Sequence, residues 1–173
     1  SEILAATRAA GRPAEAVRLV AVSKTWPAGD VAEAAAAGQT VFGENRVQEL
    51  LPKITESPAG LEWHLIGHLQ SNKVRKVLPV CALIHSIDSL ELARDVSRIA
   101  GELGMTAKVL LQVNVASDDA KFGFPVADVK ESFSEIAALP HLEVRGLMTV
   151  PPFEEDPEAV RPHFAALRRL RDE

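Results

Sequence analysis

Six times along this chain, an apolar run of strand length is followed by a segment with helical periodicity. The runs are Leu19–Ser23, Thr40–Gly43, Leu61–Gly67, Leu83–Ile87, Ala107–Asn114 and Leu142–Val150, spaced as βα units are. The intervening segments carry helix signals. Val47, Leu50, Leu51 and Ile54 form an i, i+3, i+4, i+7 stripe behind Asn45, a candidate N-cap. Ser71 is placed to cap a short helix that stops before Pro79, and Asp88 with Glu91 resembles a capping box. Asp156-Pro157 opens the last helix. Such alternation predicts an α/β fold with a parallel sheet and right-handed crossovers.

A closed (β/α)8 barrel of the TIM type needs eight units and typically about 250 residues. This chain has 173 residues and supplies about six units, with no Ser- or Gly-rich linker to divide it. Ser1 falls inside one helical pattern and Glu173 closes another. The expectation is therefore one domain over residues 1–173, a barrel that continues beyond Glu173 by roughly two further units.

Composition narrows the function classes. A net charge of -5 argues against a general nucleic-acid or anionic-membrane binder. No apolar stretch reaches the roughly 18 residues of a membrane span, and no signal-peptide pattern opens the chain. The single cysteine, Cys81, excludes an internal disulfide framework and fits a reducing cytoplasm. Its neighbours Val80, Ala82 and Leu83 mark it as a small core residue.

In parallel α/β folds the strand C-termini and the loops after them share one face, where chemistry collects. Here that face gathers Lys24, Thr25, Glu44, Asn45, Gly67, His68, Ser86, Asp88, Asn114, Met148 and Thr149. A lysine ending the first strand is a candidate for condensation with a carbonyl compound, as in Schiff-base and pyridoxal-phosphate enzymes. The alternative is a surface lysine opening a βα loop. Asn45 offers a donor and an acceptor suited to a ring hydroxyl, or else caps its helix.

His64 and His68 are four apart, but they fall on a strand and its loop, where a metal pair does not converge. His64 reads instead as a polar residue pointing into the interior. Asn114, Ser117, Asp118 and Asp119 lack the glycine and terminal glutamate of a calcium loop. Dinucleotide, Walker and nucleophile-elbow motifs are missing from the sequence, and the basic residues Lys73, Arg75 and Lys76 read as a solvated face.

Several segments together resemble the pyridoxal-phosphate homeostasis protein family. They are Leu19-Val20-Ala21-Val22-Ser23-Lys24-Thr25, Phe42-Gly43-Glu44-Asn45-Arg46-Val47-Gln48-Glu49 and Trp63-His64-Leu65-Ile66-Gly67-His68-Leu69-Gln70-Ser71-Asn72-Lys73. His85-Ser86-Ile87-Asp88, Gln112-Val113-Asn114-Val115, Lys121-Phe122-Gly123 and Arg145-Gly146-Leu147-Met148 complete the set, in the family's order. The resemblance implies a barrel like the N-terminal domain of alanine racemase and ornithine decarboxylase. It implies pyridoxal 5′-phosphate as cofactor, joined to Lys24 as a Schiff base, with Asn45, His64 and Met148 as further cofactor-binding residues.

It further implies a monomer serving vitamin B6 and amino-acid homeostasis, with no established turnover. The family holds the cofactor phosphate on loops at the seventh and eighth strands, past the last strand of this sequence. Two enzyme readings compete. A racemase pairs its lysine with a tyrosine from a second domain, and this chain has no tyrosine. A cofactor-free class I aldolase needs an acid or base beside Lys24, for which Glu44 is the candidate.

Overall fold

A computed structural model describes residues 2–116 and 122–173. Ser117, Asp118, Asp119 and Lys121, named above in the calcium and family motifs, lie outside the described residues. The strands are β1 (Ala21–Val22), β2 (Val41–Glu44), β3 (Glu62–Leu65), β4 (Leu83–Ile87), β5 (Ala107–Gln112) and β6 (Leu142–Met148). The helices are α1 (Glu2–Ala9), α2 (Ala28–Ala36), α3 (Val47–Glu56), α4 (Val74–Val77), α5 (Leu90–Glu102), α6 (Val126–Ala137) and α7 (Arg161–Asp172).

All six strands are parallel and lie in chain order, β1 to β6. A doubly wound sheet reverses its strand order at a switch point and carries helices on both faces. An unreversed order with right-handed crossovers stacks every helix on one side, which is barrel topology. The expected architecture is thus the observed one. The first strand is shorter than its apolar run, because only Ala21 and Val22 pair with β2, at Phe42 and Gly43.

Alternation and register sort side chains between the two faces. Phe42 and Trp63 are register partners on the helix side, with ring centroids 5.6 Å apart. Around them Leu50, Leu65, Val77, Ile84, Val96, Val109, Leu111 and Ile136 are fully or almost fully buried. Gly43 and His64, also register partners, face the opposite, barrel-interior side.

Three capping expectations shift by a residue or fail. Ser89, not Asp88, caps α5, accepting from the Leu92 N–H at 3.2 Å. Asp88 instead bonds the His68 ring at 3.1 Å. Arg46 occupies the N-cap of α3, so Asn45 stands one position upstream of the cap. Ser71 lies inside a 3-10 turn whose N-cap is Gln70, and it caps nothing.

Candidate functional site

The ladder between β1 and β2 closes with the Ser23 N–H donating to the Gly43 carbonyl at 3.0 Å. The chain then turns at once, the Trp26 N–H returning to the Ser23 carbonyl at 3.1 Å. Thr25, inside this turn, has φ +69°, a left-handed conformation that costs a β-branched residue about 1–3 kcal/mol. Such strain persists where the surroundings over-determine the backbone, typically at functional sites. Lys24 lies between the last ladder bond and this strained residue. Its side chain is exposed and makes no hydrogen bond or ion pair with any other described residue.

Behind it lies a buried polar cluster. Lys53 of α3, 8% exposed, donates to the Ser23 backbone carbonyl at 2.7 Å and pairs with the Glu44 carboxylate. The Ser23 hydroxyl donates to the same Glu44 Oε1 at 2.7 Å. Ser23 and Glu44 point to the helix side. Glu44 is therefore engaged by Lys53 and Ser23, which corrects its candidacy as an acid or base beside Lys24. Lys53 escaped the sequence reading although a signal was there: it lies three residues after Leu50, within the buried stripe of α3.

Asn45 follows β2 and is half-buried. Its backbone is clamped by the loop after β3, where the absence of a side chain on Gly67 is required. A Cβ there would lie 2.2 Å from the Asn45 carbonyl oxygen and 2.7 Å from its Cα. Met148 ends β6 and is half-buried, but β6 is the far edge of the sheet from β1. Lys24 and Asn45 thus share neighbouring strands, while Met148 belongs to the other end of the row.

His64 is buried in a hydrogen-bonded chain that the sequence did not announce. Arg18 makes a two-pronged pair with Glu62 at 2.9 and 2.8 Å, and Glu62 bonds His64 Nε2 at 2.8 Å. His64 Nδ1 meets His85 Nε2 at 2.9 Å. With Glu62 accepting from His64 Nε2–H, Nδ1 is left to accept from His85. The Arg18 guanidinium, and next the His64 ring, hold Glu62 below its ordinary value. Burial pushes His85 down to about 4. The ring nitrogens of His64 are thereby committed to protein partners.

At the same strand-end face His68 stacks on Phe122, ring centroids 4.1 Å apart, and Ser86 Oγ donates to the Gly67 carbonyl at 2.7 Å. His68 and His64 turn to different partners, as their places on loop and strand require. Cys81 packs against the core, and burial pushes its thiol up to about 12, which makes it a structural residue.

Fold and site together define a parallel βα barrel with a lysine at the mouth of its first strand that pairs with no other described residue. The alanine racemase N-terminal domain family model matches residues 3–173. A pyridoxal phosphate homeostasis protein from Aquifex aeolicus is 43% identical over 165 residues, 95% of this chain and 72% of that protein. Its namesake from Escherichia coli K12 is 42% identical over 159 residues, 90% of this chain and 68% of that protein. Among solved structures, PipY of Synechococcus elongatus with PLP bound superposes with a TM-score of 0.84. It is 42% identical, and the match covers 99% of this chain and 79% of PipY. Alanine racemase from Clostridium difficile, at 18% identity and TM-score 0.74, shares the fold over 91% of this chain and 44% of its own. The chain belongs to the alanine racemase N-terminal domain family and, within it, to the pyridoxal phosphate homeostasis proteins.

Proposed function

We propose that this protein binds pyridoxal 5′-phosphate through Lys24 and carries or buffers the cofactor rather than turning over a substrate. The observation that carries the reading is the exposed Lys24 side chain, without a partner among the described residues, beside the left-handed Thr25 at the strand-end face of a barrel of this family. The residues present fit the group. When bound, the cofactor supplies an aldehyde with which a deprotonated amine condenses with loss of water. Lys24 offers an amine with no competing carboxylate on it among the described residues. Asn45 has an amide able both to donate and to accept at the ring's polar edge. Met148 contributes apolar surface at the mouth. His64, its nitrogens committed, contributes a fixed wall on the interior side.

The names of the relatives support a non-catalytic role. They are named homeostasis proteins, and PipY, 42% identical, has PLP bound. Steady racemization needs acid-base groups on both faces of the reacting carbon. In this chain the tyrosine of the racemase arrangement is missing from the sequence, and Glu44 is held on the helix side. A monomer acting in the cytoplasm completes the reading.

Incubation with pyridoxal phosphate, borohydride reduction and peptide mass mapping tests it. The label is expected on the peptide containing Lys24, and Lys24→Ala should abolish the yellow absorbance. Label concentrated on Lys73 or Lys76 would overturn the assignment. In the same preparations, turnover of alanine or another common amino acid should fall far below the roughly 1–10³ per second of ordinary enzymes.

A further inference from the structure

We infer that Lys53 is a positioning residue for Lys24, acting through Glu44 and the Ser23 carbonyl. The inference rests on the reading of Lys24 as the reactive amine.

The cluster is poorly explained as a device for stability. Burying an ion pair costs several kcal/mol per ion, and apolar residues of similar volume usually serve as well or better. Here the arrangement is costlier still. Both donors, Lys53 Nζ and Ser23 Oγ, converge on Glu44 Oε1. Glu44 Oε2 is buried without a hydrogen-bond partner among the described residues. A pair selected for stability would satisfy both oxygens.

What the cluster does is grip one residue twice. Ser23 is held at its hydroxyl by Glu44 and at its carbonyl by Lys53. That carbonyl stands where the β1–β2 ladder has run out, and there the Lys53 ammonium joins the Trp26 N–H as a second donor. Lys24 opens the turn that leaves Ser23, so fixing Ser23 fixes the point from which the Lys24 backbone sets out. The following residue, Thr25, holds its left-handed φ of +69° only because its neighbours are pinned. Strand β1 contributes just Ala21 and Val22 to the sheet, too little to set this direction unaided. The rigidity that presents Lys24 therefore comes from α3.

The test uses the whole chain and three proteins: wild type, the double variant Lys53→Met with Glu44→Gln, and Ser23→Ala. The double variant removes both charges together, so neither is left buried alone. Thermal melting establishes that each is folded. Two readouts follow, both resolved by peptide mass. One is the pH profile of Lys24 acetylation by acetic anhydride relative to exposed Lys76, with no cofactor present. The other is the rate of pyridoxal phosphate trapping at Lys24.

In the folded double variant, trapping at Lys24 should fall on the order of tenfold to a hundredfold, as expected for a misplaced reacting group. The midpoint of Lys24 acetylation should shift, and Ser23→Ala should move both readouts in the same direction. Unchanged midpoint and trapping rate in a folded variant would overturn the inference. Should the double variant not fold, Ser23→Ala decides alone, on the same criteria. A wild type that traps the cofactor elsewhere, while Lys24 acetylation still shifts in the variants, would sink the cofactor assignment and leave the positioning role standing.

Discussion

His85 carries a proton-linked term in the stability of this fold. Its folded pKa of about 4 lies below the ordinary 6.5, chiefly through burial. Between those values the unfolded chain binds more protons than the folded one, so stability falls as the solution is acidified. The contribution is fully present above 6.5 and is lost as the pH drops through about 4. One half-exposed group sets a slope of at most ~1.4 kcal/mol per pH unit. Urea midpoints measured from neutral pH downward should show that decline, and His85→Gln, which keeps a donor toward His64, should flatten it. An equal decline in the variant would place the acid sensitivity elsewhere. Sequence motifs singled out Lys24 and Asn45 as candidates because each stands at its own strand end. Neither His85 nor Lys53 was legible, because their roles exist only in register with His64, 21 residues away, and Glu44, nine residues away.

At the scale of elements, apolar periodicity located each of the six strands within a few residues, and β4 at both ends. What it missed were caps and ends, which depend on single hydrogen bonds. Ser89 and Asp88 are equally good caps in composition, and only the path of the chain into α5 chose between them. The run Leu19–Ser23 looked as apolar as its neighbours, yet only Ala21 and Val22 form the strand. Leu19 and Val22 stay about half exposed, at 56% and 46%. The contact between the turn after β2 and the loop after β3 is another such feature. Gly67→Ala should cost on the order of 1–3 kcal/mol, since a backbone carbonyl cannot give way as a side chain can. It should also weaken cofactor capture by moving Asn45. Denaturant unfolding and trapping at Lys24, measured side by side, check both halves; a variant equal to wild type in each would refute the clamp.

For the whole molecule, strand order equals chain order, so each βα unit packs chiefly on the units before and after it. Substitutions in remote units should therefore act independently. Val31→Ala in α2 and Ile136→Val in α6, both at fully buried sites, should each cost on the order of 1 kcal/mol. Their sum should match the double variant within about 0.5 kcal/mol. A larger coupling, read from denaturant unfolding of the four proteins, would mean that strain crosses the sheet. The same order has a meaning in time. A ribosome releases this chain from its amino end at about 5–20 residues per second. Each new strand then meets an edge already laid down by its predecessor, and no strand has to wait for one made later. Lys24 emerges just after the opening strand, and Lys53, which holds the neighbouring Ser23 carbonyl, follows with α3, within seconds and ahead of the rest of the barrel wall.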